Sequence, residues 1–264
     1  MPVLHADIDI WYETLGSGPD VVLLHPFPAH HGIWGPVAER LAGHYRLILP
    51  DLRGHGSSGV GAGPATMARH VADMMRLCDE LGVRKAAFAG ESIGGYILFE
   101  FWRRHRDRVR ALALCNTRAQ ADTPEGRAAR LKAAAEVEKT GPEPFIESMI
   151  PRLLGETTRR NRPDTVQAAR EMMRKSSAAG IAAVQRGMAE RPDSVATLPT
   201  VDVPTLILAG EEDLLIPQAD AELMQRSLVR GHLLVLPKAG HYAVFEQPEA
   251  AGALLREFLD DLPR

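Results

Sequence analysis

Residues 85–95 read Lys-Ala-Ala-Phe-Ala-Gly-Glu-Ser-Ile-Gly-Gly, and this stretch decides the fold. After Lys85, residues Ala86 to Ala89 are a short apolar run typical of a strand buried on both faces. Residues 93–106 follow as an amphipathic segment with helical spacing. The glycines between the two segments permit a tight turn, and such a strained turn lifts the Ser92 side chain clear of the sheet. The stretch therefore predicts a strand, a tight turn that carries a serine, and a helix.

The same alternation of buried strand and amphipathic helix extends along the chain. The first 15 residues alternate polar and apolar and predict a strand pair with one buried face. Strands alternating with helices indicate an α/β fold, a doubly wound and mostly parallel sheet with helices on both faces. The further strand segments are Val21–Leu24, Arg46–Leu49, Ala111–Leu114, Thr205–Ala209 and Leu233–Leu236, and the further helical segments are 33–43, 66–82, 218–229 and 248–260.

One interval, from about Arg118 to Ala196, breaks this alternation because it contains no strand pattern. Proline and glycine punctuation predicts four helices there, at roughly 124–139, 143–154, 164–176 and 179–190. We therefore expect residues 1–117 and 197–264 to form the core and residues 118–196 to form a helical cap, or lid, inserted between two strands.

Composition excludes several classes of protein. Among 264 residues, 31 are basic and 34 acidic, so the net charge of −3 gives no basic surface for nucleic acid or an anionic membrane. We find neither a signal peptide nor an apolar run long enough to span a membrane, and we expect a cytoplasmic protein. Cys78 and Cys115, the only cysteines, have neither a disulfide pattern nor metal-ligand spacing and are interpreted as small buried residues.

Three residues predict nucleophilic catalysis. Gly90-Glu91-Ser92-Ile93-Gly94 fits the G-x-S-x-G pattern of a nucleophile turn. A serine needs a base, and His241 follows a strand at the sheet edge where reacting groups gather. The histidine needs an acid, and Asp213 is favoured over Glu211 and Glu212, which fit a solvated acidic turn.

An oxyanion requires backbone donors, for which we expect the N–H groups of Ile93, after the serine, and Phe27, between Pro26 and Pro28. No cofactor is implied. The pair His30-His31 does not predict a metal site, since adjacent side chains point apart and no carboxylate pair lies nearby in the sequence.

Five motifs in order resemble the α/β-hydrolase superfamily over essentially the whole chain: His25–Pro28, Asp51–Ser57, Gly90–Gly95, Gly210–Pro217 and Gly240-His241. Within it, the chain looks like the carboxylesterase and 3-oxoadipate enol-lactonase-like branch with a four-helix cap. The resemblance implies a catalytic triad of Ser92, Asp213 and His241. Pro26 and Glu91 depart from the usual family residues, and the sequence alone assigns no effect to Glu91.

The expected function is hydrolysis of small to medium carboxylic esters by a serine carboxylesterase, with a small-molecule ester or lactone as its partner. The resemblance also permits a 3-oxoadipate enol-lactonase, a carbon–carbon bond hydrolase and, as a side activity, a cofactor-free haloperoxidase. A non-catalytic ligand-binding scaffold belongs to a different class of function. The intact triad argues against it.

The expected pocket is apolar. Its candidate substrate-binding residues are Trp34, Ile146, Met149 and Met172. The basic residues Arg118, Arg152 and Arg186 are candidates to bind an anionic substrate, but none stands out in the sequence as buried. The general carboxylesterase therefore ranks above the enol-lactonase.

Overall fold

A computed structural model describes residues 3–5 and 7–263. Met1, Pro2 and Ala6 of the predicted N-terminal strand pair lie outside the described residues. Within these described residues, eight strands form one sheet in the order β1-β2-β4-β3-β5-β6-β7-β8, in which β3 to β8 are parallel and β1 and β2 antiparallel. Their bounds are Val3–His5 (β1), Asp9–Leu15 (β2), Asp20–Leu24 (β3), Arg46–Pro50 (β4), Ala86–Glu91 (β5), Val109–Cys115 (β6), Thr205–Gly210 (β7) and Gly231–Leu236 (β8).

Helices cover both faces of the sheet, which explains why the parallel strands are continuously apolar. On one face, Val22 and Phe88 pack towards α2, α3 and α9. On the other face, Leu23 and Ala87 pack towards α1 and α11. The period of two along each strand thus divides the core into two clusters, and the predicted doubly wound sheet is confirmed. The bounds of these helices are Gly35–Leu41 (α1), Met67–Glu80 (α2), Ile93–His105 (α3), Gln218–Ser227 (α9) and Pro248–Asp260 (α11), and the short α10 spans Ala243–Glu246.

The interval between β6 and β7 contains five helices, where the sequence predicted four. Four agree with the predicted positions to within three residues, and the additional one is α6. Only six residues long, α6 is too short to show a helical period. The carboxylates of Glu212 and Glu246 stabilise its first turn by accepting hydrogen bonds from the N–H groups of Thr157 and Gly155 at 2.8 and 2.9 Å. The five helices are Pro124–Thr140 (α4), Glu143–Leu153 (α5), Glu156–Asn161 (α6), Pro163–Met173 (α7) and Ala178–Ala189 (α8).

Cys78 and Cys115 are both free and buried, as predicted. In the described part of the chain, no helix is both long enough and apolar enough to cross a bilayer.

Candidate active site

Ser92 occupies the turn between β5 and α3, and its backbone is strained. Its φ of 54° and ψ of −111° lie in a region that residues with a side chain rarely adopt. Gly90 and Gly94 lie so close to neighbouring backbone atoms that neither position has room for a side chain. A Cβ atom on Gly90 would lie 2.5 Å from the carbonyl carbon of Gly94, and one on Gly94 would lie 2.6 Å from the carbonyl oxygen of Leu24. Only glycine fits at both positions, so the spacing of the motif has a steric cause.

His241 and Asp213 form a buried pair at the same edge of the sheet. Asp213 follows β7, His241 follows β8, and His241 Nδ1 lies 2.8 Å from Asp213 Oδ2. Their side chains are only 3% and 2% exposed. Because a carboxylate can only accept, Nδ1 carries the proton in this bond and Nε2 is left as the acceptor.

Asn116, which the sequence reasoning missed, holds this pair in place. It follows β6, and its Nδ2 donates to Asp213 Oδ2 at 2.8 Å and to the carbonyl oxygen of Gly240 at 3.2 Å. The signal was present in the sequence: a short polar residue directly after a buried strand, between the strands that lead to Ser92 and Asp213. Neighbouring parallel strands end at one edge, so such a residue lies beside the functional ones.

Asp213 is surrounded by donors. Its Oδ1 accepts from the N–H groups of Leu215 and Ile216 at 2.7 and 3.1 Å, in addition to the bonds at Oδ2. Burial acts to raise the pKa of Asp213, but the charge and hydrogen bond of His241 and the bond from Asn116 outweigh it and hold this pKa below its ordinary value. Asp213 is therefore a carboxylate at neutral pH.

The neighbouring acids have other contacts. Glu211 Oε2 accepts from the N–H of Lys238 at 3.0 Å, and Glu212 accepts from Thr157 on α6. Glu211 is exposed, as expected for a solvated turn. The expectation is corrected for Glu212 alone, which is half-buried and bonded to α6.

Glu91, whose effect the sequence left open, lies fully buried behind the serine turn. Its Oε1 accepts from the N–H of Val244 at 3.3 Å, which joins the end of β5 to α10. Burial raises the pKa of Glu91 well above its ordinary value, and the carboxylates of Glu246 and Asp213 act in the same direction. Glu91 is therefore a neutral, internal side chain that anchors the segment after His241.

The loop after β3 carries Phe27 next to the serine turn. His25 shapes this loop: its Nδ1 donates to the carbonyl oxygen of Pro26 at 2.9 Å, and its Nε2 accepts from the N–H of Leu52 at 2.9 Å. Burial, together with nearby His55, lowers the pKa of His25 well below its ordinary value, so the ring is neutral and can accept. The hydroxyl of Tyr242 donates to the carbonyl oxygen of Phe27 at 3.2 Å.

His30, His31 and Asp51 come together near this loop, with one nitrogen or oxygen of each within 4.8 Å of the others. The sequence pattern gave no sign of Asp51 here because it lies 20 residues away. Atoms of all three side chains already form hydrogen bonds within the protein. His31 Nδ1 lies 2.6 Å from Asp51 Oδ1, and His30 Nδ1 accepts from the N–H of Gly32 at 3.1 Å. Asp51 also accepts from the N–H of Ser57 at 2.8 Å. The cluster joins the loops after β3 and β4.

A cavity of about 280 Å³ opens onto Ser92 and His241. It lies between the sheet edge and the helices α4, α5 and α8. Besides those two residues, it is lined by Phe27, Tyr96, Arg118, Asp122, Gly126, Ala129, Arg130, Ala133, Phe145, Met149, Arg152, Leu153, Gln185, Met188, Leu215 and Ile216.

This lining corrects part of the expected pocket. Met149 lines it, whereas Trp34, Ile146 and Met172 pack in the core cluster on the α1 and α11 side of the sheet. Their apolar character was correctly predicted, but a sequence does not distinguish an apolar wall from an apolar core. The lining is also not simply apolar, since it contains arginines and an aspartate.

The chain matches the family model of the alpha/beta hydrolase fold over residues 19–248. It belongs to the alpha/beta hydrolase family. Its fold matches the structure of a thermophilic esterase from Thermogutta terrifontis, determined with malate bound, at a TM-score of 0.94 and 41% identity, covering 97% of this chain and 94% of that one. It is 28% identical to 3-oxoadipate enol-lactonase 1 of Acinetobacter baylyi over 88% of this chain and 85% of the relative. It is 30% identical to a pimeloyl-[acyl-carrier protein] methyl ester esterase of Chromobacterium violaceum over 96% of this chain and 99% of the relative. These similarities confirm a hydrolase of the enol-lactonase-like branch.

Proposed function

We propose that this hydrolase is a serine carboxylesterase that cleaves small to medium carboxylic esters through an acyl-enzyme. The observation that carries the proposal is a shared cavity. Ser92 in its strained turn and His241, the partner of Asp213, both line it. The esterase names of two of the relatives agree with this chemistry.

Each residue of the proposed triad has a defined part. The Ser92 hydroxyl oxygen attacks the acyl carbon while His241 Nε2 accepts its proton, and the same nitrogen returns that proton to the leaving alcohol. Asp213 holds the Nδ1 proton and stabilises the imidazolium. Water, activated by His241, then cleaves the acyl-enzyme and regenerates the Ser92 hydroxyl.

The N–H groups of Ile93 and Phe27 are the proposed oxyanion donors. Ile93 is the first residue of α3, so its N–H faces out of the helix where the helix dipole is positive. Phe27 lines the cavity together with Ser92. No catalytic step in this proposal needs a cofactor or a metal.

We propose further that residues 118–196 act as the cap that selects the substrate. Three of the five helices in this segment line the cavity: α4 through Ala129 and Ala133, α5 through Phe145 and Met149, and α8 through Met188. The proposed reacting groups, Ser92 and His241, follow strands of the sheet, and the cap helices provide side chains that would contact the substrate.

Covalent labelling tests the assignment. A fluorophosphonate should label Ser92 alone, and Ser92→Ala should lose both the label and turnover of p-nitrophenyl butyrate by about 10⁴-fold or more. His241→Ala should lose turnover to a similar degree. Ser227→Ala, a change in a partly exposed serine at the end of α9, is the matched control and should keep both properties. Retention of most activity in Ser92→Ala would overturn the proposal.

A further inference from the structure

A cluster of charged side chains from residues 118–196 lies at the cavity, with Arg118, Asp122 and Arg130 in the lining. Asp122 lies just before α4, and its side chain is only 4% exposed. It accepts from Arg118 Nη2 at 2.8 Å, from Arg191 Nη2 at 2.9 Å and from Arg130 Nε. One carboxylate is thus shared by three arginines.

The charges of this cluster do not cancel. Arginine stays protonated in proteins, so three positive charges face one negative charge. A further acid nearby, Asp220, has its carboxylate bonded to Gln120 Nε2 at 2.7 Å. The exposed Arg152 on α5 adds a further positive charge to the lining, and it forms no ion pair within the described chain. The cap side of the cavity therefore has excess positive charge.

Arg118 and Arg130 also keep donors that the protein itself does not use. Arg118 bonds through Nη2, and its buried Nε is without a partner in the described structure. Arg130 bonds through Nε and through Nη1, which donates to Gln185 Oε1 at 3.1 Å. One Nη nitrogen on each of Arg118 and Arg130 makes no hydrogen bond within the described residues. Both side chains are about a quarter exposed, at 27% and 22%, and both line the cavity.

Arg191 differs from these two. Its side chain is 3% exposed and lies over the Tyr96 ring at 4.0 Å, and it is not part of the cavity lining. It fixes Asp122 from behind, while Arg118 and Arg130 face the cavity.

We propose that Arg118 and Arg130 form a carboxylate-binding subsite, so that the preferred substrates are esters or lactones that also carry a free carboxylate. This inference rests on the proposed function, because it assigns a substrate class to the cavity of Ser92. Monoesters of short dicarboxylic acids have the required chemistry, with the ester at Ser92 and the carboxylate at the cap. Charge-assisted hydrogen bonds of this kind give a preference of at least about tenfold over the neutral analogue.

A carboxylate-binding subsite reverses the ranking that the sequence suggested. The sequence ranked neutral esters first because no arginine could be recognised from the sequence as a pocket residue. The structure places Arg118 and Arg152 in the lining and adds Arg130, whereas Arg186 pairs with Glu138 away from the cavity. Substrates with a carboxylate therefore rank above neutral esters.

The test compares monoethyl adipate with ethyl hexanoate, two esters of similar length that differ in the free carboxylate, by titrating the acid released. We expect kcat/KM for the monoester to exceed that for the neutral ester by about tenfold or more. Arg118→Gln and Arg130→Gln should each lower this ratio about fivefold or more. Arg186→Gln, which removes a cap arginine outside the lining, is the control and should leave the ratio unchanged. A wild-type ratio near one, or an equal loss in the control, overturns the inference.

A binding measurement separates failure of the subsite from failure of the proposed chemistry. Adipate should bind to Ser92→Ala in calorimetry, and Arg118→Gln in the same background should weaken that binding about fivefold or more. This readout does not require turnover. Loss of hydrolysis of both esters with adipate binding intact would refute the proposed function and support the subsite, whereas hydrolysis without adipate binding would refute the subsite alone. Because Asp122 keeps two arginine partners in each single variant, the cap contact survives, and a melting temperature close to that of the wild-type protein verifies this.

Discussion

Asn116 offers a sharp test of the proposed active site, because it bonds to Asp213 of the proposed triad and has no part in the proposed chemistry. In Asn116→Gly, Asp213 Oδ2 loses the 2.8 Å bond from Nδ2 and keeps only His241. The loop before His241 loses its 3.2 Å tie at Gly240. A hydrogen bond to a charged group is worth about 1.5–3 kcal/mol, or about 10–150-fold in rate if it acts on the transition state. We expect kcat for p-nitrophenyl butyrate to fall about 10–100-fold, with KM changed less than about threefold.

Glycine is the appropriate replacement because Asn116 has a φ of 44°. Alanine would add strain of about 1–2 kcal/mol at this left-handed position, so Asn116→Ala should match the kcat of the glycine variant and melt at a lower temperature. Lys238→Gly is the matched control, since Lys238 is exposed and also has a positive φ, of 56°. It should leave kcat unchanged. If Asn116→Gly kept kcat within threefold of the wild-type value, or the control lost as much, the assigned role of Asn116 would be refuted.

Three further predictions concern stability. Burial lowers the pKa of His55 from 6.5 to about 4, so the unfolded chain binds more protons between these values and the free energy of unfolding falls by about 3 kcal/mol between pH 7 and pH 4. Urea unfolding of His55→Asn should therefore vary less with pH from 4 to 6.5 than unfolding of the wild-type protein; an unchanged pH slope would count against this. The raised pKa of Glu91 makes stability fall as pH rises, because above pH 4.5 the unfolded chain loses this proton and the folded chain keeps it. Glu91→Gln should therefore raise the melting temperature at pH 8 and keep kcat within about threefold. A lower melting temperature would contradict the neutral state. In Gly187→Ala, the new Cβ would overlap the carbonyl oxygen of Ala65, so calorimetry should show a melting temperature at least about 5 °C lower, whereas Gly126→Ala, with no contact under 3.5 Å, should show no loss.

The parts of the site that a sequence predicts are those that depend on period and position. Buried parallel strands are continuously apolar, so the ends of β5, β7 and β8 were located from their residue types alone. Reacting groups lie beyond those ends in an open α/β sheet, which identified Ser92, Asp213 and His241 as neighbours from the sequence. The structure brings Asp213 and His241 within hydrogen-bond distance and places Ser92 on the same cavity.

Features that depend on distant contacts were not predicted. Helix α6 is six residues long and is stabilised by carboxylates 55 and 91 residues away, so its own sequence has no detectable signal. Trp34 and Met149 are both large apolar residues near the predicted site, but Trp34 is fully buried in the core and Met149 faces the cavity. Apolar character follows from the residue type, whereas the direction in which a side chain points depends on tertiary packing.

The charge around a buried carboxylate likewise depends on tertiary packing, as Asp122 and Asp213 show. Both are nearly buried carboxylates, Asp122 in the lining of the cavity and Asp213 behind His241, which lines it. In both, the bonds from neighbouring groups outweigh burial and lower the pKa, for Asp122 to about 2. The two carboxylates differ in the charge of the groups that donate to them. Asp213 is bonded by one histidine, one amide and two backbone N–H groups, which leaves no excess of positive charge. Asp122 is bonded by three arginines from separate segments, which leaves positive charge at the cap end. A bound molecule with an ester at one end and a carboxylate at the other matches this separation, and the matching pattern emerges only when the chain is folded.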